Sequence, residues 1–259
     1  MKSSLYGLLV GALLFVSVKS SAHVITVLAP ELPANSERDG TGRDLEIFAA
    51  VMARCGREVR FEFSPFLRHL RNYTHEHMGD AVMTVDLSRN APGFATIPYV
   101  YYQNGVVILD SADVKPYSLS SLEGLRVVYF SGAPRLLGFD AQDRGFAGSF
   151  EFLDDRVHAR VLFYGRVDAV LTDGLIFSEI TRNLNTNDAF GQDLDPTQKV
   201  MFIPMFPPSP YRAFFRSEAL RDEFNRCLRI LEGDGEVKAI NVKYVDEHRD
   251  MLGYGYLGY

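Results

Sequence analysis

The sequence predicts an α/β fold in two lobes, each a mainly parallel sheet flanked by helices. Two observations carry this. Apolar runs of strand length alternate with amphipathic stretches of helical period along most of the chain, the pattern of βαβ units. A phrase also recurs, Met78-Gly79-Asp80-Ala81-Val82-Met83-Thr84 and then Arg166-Val167-Asp168-Ala169-Val170-Leu171-Thr172. In each copy a helix is expected to run into a glycine, Gly79 or Gly165, followed by Asp and a short apolar run closed by Thr. That describes a helix stopping on a left-handed glycine and handing over to a strand buried on both faces. Ligands of open α/β sheets bind beyond the carboxyl ends of such strands, so two equivalent strands predict two lobes facing one cleft.

Element by element, residues 1–22 are set aside as an export signal. Lys2 supplies the positive charge, residues 5–18 the apolar stretch, and Ser20-Ser21-Ala22 the small residues before a cleavage placed after Ala22. Lys19 ends the run short of the roughly 20 residues a bilayer span needs. No later segment is long and apolar enough to span, so the mature chain is expected to be soluble in the periplasm.

From His23, residues 24–29 read as a strand and residues 45–55 as a helix ending at Gly56. Residues 59–63 form the next strand, and Ser64-Pro65 supplies an N-cap and first-turn pair for a helix reaching Met78. The first Asp-Ala-Val strand follows, then one long aromatic strand over 99–109 and a crossing between lobes at residues 110–113.

The second half repeats the grammar. Residues 118–123 make a helical turn stopped by Gly124, and residues 125–130 a strand delivering the loop Ser131-Gly132-Ala133-Pro134. Asp154 caps a helix running to Gly165, and Asp173-Gly174 opens another after the second phrase. A polar loop, a strand over 200–205, the prolines 207, 208 and 210, a strand over 211–216 and two helices complete the chain. The Gly/Tyr tail, 253–259, has no helical or strand period.

Composition narrows the function. A net charge of −6 without a basic cluster argues against nucleic-acid binding. His69, His75 and His77 lack the i, i+4 spacing of a helical zinc pair and read as a solvated helix end. No metal or cofactor is expected, and no Gly-x-Ser-x-Gly elbow, P-loop or His-Glu-x-x-His motif is present. The two cysteines, Cys55 and Cys227, each fall on the apolar stripe of a helix. They are either buried thiols behaving as small hydrophobes or, in an oxidising compartment, a disulfide between packed helices.

Position alone nominates several residues for the cleft. Thr84 and Asp86 end the first phrase, and Glu31 ends the first strand. Backbone N–H groups at Ser131 and Gly132 are candidates to hold an anion where a strand gives way to a helix. Tyr99, Tyr101 and Tyr102 read mainly as core or crossing residues.

The ordered set Gly42-Arg43-Asp44-Leu45, Gly79-Asp80-Ala81, Ile97-Pro98-Tyr99, Ser121-Leu122-Glu123-Gly124-Leu125-Arg126-Val127-Val128, Gly165-Arg166-Val167-Asp168-Ala169-Val170-Leu171-Thr172-Asp173, Asp234-Gly235 and Lys243-Tyr244 resembles bacterial extracytoplasmic solute-binding proteins of family 3. The resemblance spans essentially the whole mature chain. It implies a type II periplasmic-binding fold with two crossings, with residues 23–108 and 206–259 in one lobe and 109–205 in the other. It implies a monomer capturing a small polar solute, an amino acid or a related compound, for the permease of an ABC transporter.

On the same resemblance Asp173 pairs with the solute's α-amino group, and Arg89 clamps its carboxylate. Helix capping is the other use for Asp173. Arg89 follows Asp80 sooner than the family pattern has it, which leaves Arg68 and Arg43 as other candidates. Two further classes stay open, a sensing module that signals to a membrane receptor and a lyase or dehydratase on the same fold.

Overall fold

The computed structural model describes residues 24–113, 115–140, 142, 145–186, 198–256 and 258. The expected export signal, residues 1–22, and the polar loop over 187–197 lie outside the described residues. Among those residues no helix is long and apolar enough to cross a membrane.

Two sheets organise the chain. The first contains β1 (Ile25–Glu31), β2 (Val59–Pro65), β3 (Ala81–Asp86), β4 (Phe94–Ala95), β5 (Val100–Tyr102) and β11 (Ser209–Phe215). Its order is β2-β1-β3-β11-β4, with β5 also paired to β11. The second contains β6 (Asn104–Leu109), β7 (Arg126–Phe130), β8 (Gly148–Phe152), β9 (Ala169–Asp173) and β10 (Val200–Pro204), in the order β10-β6-β9-β7-β8. The repeated phrase supplies β3 and β9, and both are buried along their whole length. Each has a parallel neighbour on one side, β1 or β7, and an antiparallel one on the other, β11 or β6.

The aspartate of the phrase does the same work twice. Asp80 Oδ2 accepts from the Thr26 N–H at 2.9 Å, and Asp168 Oδ2 accepts from the Arg126 N–H at 2.8 Å. Each carboxylate thereby fixes where the partner strand begins, which sets register at a sheet buried on both faces. The glycines differ. Gly165, at φ 62°, directly follows the cap of α4 (Asp155–Phe163), as expected. Gly79 is also left-handed, at φ 66°, but α2 (Arg68–His75) has already ended.

The helix expected from Ser64-Pro65 is therefore corrected: both residues pair in β2 with Pro30 and Glu31 of β1. Proline at the last residue of an edge strand forfeits no ladder bond that the sheet needs. His69 is corrected with it. Its side chain is buried, not a solvated helix end, and burial holds its pKa down at about 3.

The single long strand over 99–109 is in fact two, β5 in the first sheet and β6 in the second, so the crossing falls at Gln103. Residues 104–108 belong with the second sheet, which moves the expected boundary. The return crossing, residues 205–208, lies beside the first. The Met205 and Phe206 N–H groups both donate to the Asn104 carbonyl at 3.2 Å, and the Gln103 side-chain amide donates to Phe206 O.

On the first sheet α1 (Arg43–Arg54) packs on α6 (Glu218–Asp234) and α7 (Glu236–Asp246). Phe48 lies at the centre, its ring within 6.0 Å of Phe61, Tyr99, Phe215 and Phe224. Cys55, at the end of α1, forms a disulfide with Cys227 of α6, with Cα atoms 6.0 Å apart.

The C-terminal segment does not stay with the first sheet. After α7 the chain crosses to the second lobe, where α8 (Arg249–Leu252) packs on β10 and on α5 (Gly174–Thr186). The His248–Glu179 and Arg182–Glu247 pairs, at 3.0 and 3.2 Å, fasten it there. This third connection places residues 248–256 against the second lobe, outside the expected division.

Candidate functional site

A cavity opens where the carboxyl ends of β1, β2, β7 and β9 approach one another. Leu32, Phe66, Tyr102 and Tyr211 line it from the first lobe, and Phe130, Ser131, Asp155, Asp173 and Ile176 are among those lining it from the second. The free space at its centre is about 40 Å³, room for a few waters. A solute of amino-acid size therefore enters only if the lobes part.

Asp173 is at this cavity, as expected, and it also caps α5. Its Oδ1 accepts from the Leu175 and Ile176 N–H groups at 2.9 and 3.1 Å. Its Oδ2 accepts from the Tyr256 hydroxyl at 3.1 Å. Burial pushes its carboxyl up to about 6, against the opposing pull of Arg43 and these hydrogen bonds.

Arg89 does not line the cavity: it borders an outer groove with Leu67, Leu70 and Arg71 and approaches the facing lobe at Gly132. Its Nε donates to Asp86 Oδ2 at 2.7 Å, and Nη2 would stand 3.2 Å from a Cβ placed on Gly132 of the facing lobe. Asp86 is committed to Arg89 and, through Oδ1, to the Ser88 N–H and hydroxyl. Of the two other arginine candidates, Arg68 lies on α2 away from the cavity, and Arg43 is completely buried behind it.

Three expectations are corrected by geometry. Thr84 does not face the cavity: at φ 55° its hydroxyl turns into the lobe and donates to Asp44 Oδ2 at 3.0 Å. The reason is the fully buried Asp44 carboxylate, which also takes the Tyr102 hydroxyl at 2.6 Å and Arg43 Nε at 3.2 Å. A buried charge is tolerated only with such partners. Glu31 pairs with Arg38 and borders an outer groove with Asp155 and Phe66. The Ser131–Gly132 loop is no open anion cradle, because Glu151 Oε1 already accepts from the Ser131 hydroxyl and the Gly132 N–H at 2.7 and 3.1 Å.

The residues that sequence reasoning missed come from two places. Asp155 opens α4, and its side chain keeps 16% exposure into the cavity. Burial, reinforced by Asp154 and Asp173 and opposed by Arg156, pushes its carboxyl up to about 7. The only signal was its place after the Asp154 cap. Tyr256, from the tail without periodicity, is fully buried behind Asp173. Next to it Arg43 Nη1 donates to Gly258 O at 2.9 Å, so the tail joins Asp173 of one lobe to Arg43 of the other. Burial pushes the Arg43 pKa down, but Asp44 and the surrounding tyrosines outweigh it and raise it overall, keeping the guanidinium charged. Among the described residues no cluster fit to hold a metal ion occurs.

No family model matches the sequence, and no curated protein is significantly similar to it. Solved structures share its architecture. The probable amino-acid ABC transporter extracellular-binding protein of Bacillus subtilis superposes with a TM-score of 0.68 at 20% identity, over 86% of this chain and 98% of that one. The GluR0 ligand-binding core in complex with L-glutamate gives 0.69 at 16% identity, over 86% and 99%. A histidine kinase sensor domain with similarity to periplasmic binding proteins gives 0.66 at 17%, over 86% and 96%. The chain thus has the two-lobe fold of type II periplasmic binding proteins.

Proposed function

We propose that the chain is an exported receptor that captures a small polar solute, an amino acid or a related compound, in the interlobe cleft and presents it to the permease of an ABC-type uptake system. The observation that carries the reading is the cavity itself. Strand ends of both sheets line it, and paired crossings at Gln103 and residues 205–208 run beside it. Micromolar capture needs about 8 kcal/mol, and a charged hydrogen bond contributes roughly 1.5–3. One lobe's contacts fall short of that. Closure of two lobes on the solute makes them simultaneous and excludes water.

Asp173 is the proposed contact for an amine and Arg89 for a carboxylate. Either must loosen a present partner to take the solute, Tyr256 in one case and Asp86 in the other. A sensing role is the second reading, favoured by the kinase sensor domain of the same fold. Thermal shifts of the mature chain, from His23 onward, against amino acids, amines, organic acids and sugars test capture, since a ligand bound to the native state raises its stability. A shift with at least one amino acid, reduced by Asp173→Ala and Arg89→Ala, is expected. No shift with any amino acid rejects the reading.

A further inference from the structure

The charges at the cleft do not balance. The neighbouring pairs are self-contained: Arg89 with Asp86, Arg43 with Asp44, and Arg38 with Glu31. Among the described residues two carboxyl groups line the cavity itself, Asp155 and Asp173, and no arginine or lysine does. Asp173 is held by two backbone N–H groups and by Tyr256. Asp155 has no such support. His158 is beside it, its Nδ1 3.4 Å from Asp155 Oδ1.

His158 is fully buried, with the Phe152 backbone carbonyl beside its ring. Burial also keeps the ring neutral, with its pKa held down at about 4, so it cannot neutralise the acid. The remaining charges facing Asp155 are Asp154, Asp173 and Arg156. The cavity walls beyond it carry the rings of Phe66, Phe130 and Tyr211, whose faces favour a cation electrostatically.

We propose that the cleft selects a solute of unbalanced positive charge, an organic cation whose ammonium or guanidinium sits at Asp155 while its carbon chain lies against Phe66, Phe130 and Tyr211. This rests on the reading of the cleft as the solute site and makes Asp155 its specificity-determining residue. A cation at that point displaces the proton that the acid retains near neutral pH, so binding releases protons and strengthens as pH rises.

Titration calorimetry with matched probes tests the proposal on the chain from His23 onward. L-arginine is compared with L-citrulline and L-lysine with L-norleucine, which differ in charge far more than in size. At least one cation is expected to bind tenfold or more tighter than its neutral counterpart. Asp155→Asn, close in shape to the protonated acid, is expected to remove that preference, leave the neutral probe within about twofold, and reduce the affinity gain between pH 5.5 and 8 to the part that Asp173 supplies. Equal binding within both pairs, or an unchanged preference in Asp155→Asn, overturns the charge selection while leaving the cleft a solute site. No binding by any of these probes or by other amino acids overturns the receptor reading as well.

Discussion

Asp80 and Asp168 show what a repeated residue can mean. Both looked like markers of strands that aim at a cleft, and both are spent on backbone N–H groups at the start of the neighbouring strand. Removing either carboxylate leaves a donor short of its partner, which costs about 1–3 kcal/mol. Asp80→Ala and Asp168→Ala are each expected to lose that much in urea unfolding, with solute affinity unchanged.

Asp155 and Asp173 are the opposite case, because their carboxyl groups sit above the usual range, at about 7 and 6. An acid whose folded pKa is raised favours the fold below its unfolded value near 3.8 and loses that contribution as pH climbs through the folded one. Neutral His158 opposes it, disfavouring the fold as pH falls from about 6.5 toward 4. The clean test is therefore a difference. Asp155→Asn should gain stability relative to the parent between pH 4 and 7.5, measured as the gap between their melting temperatures at each pH.

At the scale of elements, the sequence was most readable where period and capping agree. The turn over residues 118–123, seen as the 3-10 turn Leu119–Leu122, and the Asp154 cap of α4 are local chemistry. Ser64-Pro65 carried an equally good local signal and misled, since parallel pairing with β1 overrides N-cap preference. The split of residues 99–109 was invisible for a related reason. Either half is a good strand, and only partners distant in sequence, β11 for one and β9 for the other, decide which sheet each joins.

The cysteines were legible as a helix-borne pair because each lay on an apolar stripe, and the α1–α6 contact brings the stripes together. The cross-link spans 172 residues, so its loss costs up to about 5 kcal/mol on the chain-entropy account. Reductant, or Cys55→Ser with Cys227→Ser, is expected to lower the urea midpoint accordingly. An unchanged midpoint would show that the α1–α6 packing holds alone.

In the whole molecule, the tail is the feature no sequence rule reached. Tyr256 and Gly258 have no period to read, and their value lies entirely in what they meet, Asp173 in one lobe and Arg43 in the other. The three connections, at Gln103, at residues 205–208 and through α8, limit how the lobes can part. Tyr256→Phe leaves a buried Asp173 oxygen without its donor, and a loss of about 1–3 kcal/mol on thermal unfolding is expected. A variant as stable as the parent would mean the hydroxyl contributes nothing to holding the tail on Asp173.

The candidate site followed the same division. Asp173 was found because a strand end aims it. Thr84 and Glu31 are turned to other uses, and the Ser131–Gly132 loop, though Ser131 lines the cavity, is not open to an anion, because their partners, Asp44, Arg38 and Glu151, come from other elements.

The central claim is that a small solute is held between the lobes. Hydrogen exchange of the mature chain, with and without the solute that raises its melting temperature most, tests this directly. Simultaneous protection of residues 66–68 in the first lobe and 131–133 and 153–156 in the second is the predicted result. Protection confined to one lobe, or lying away from the cleft, would contradict it.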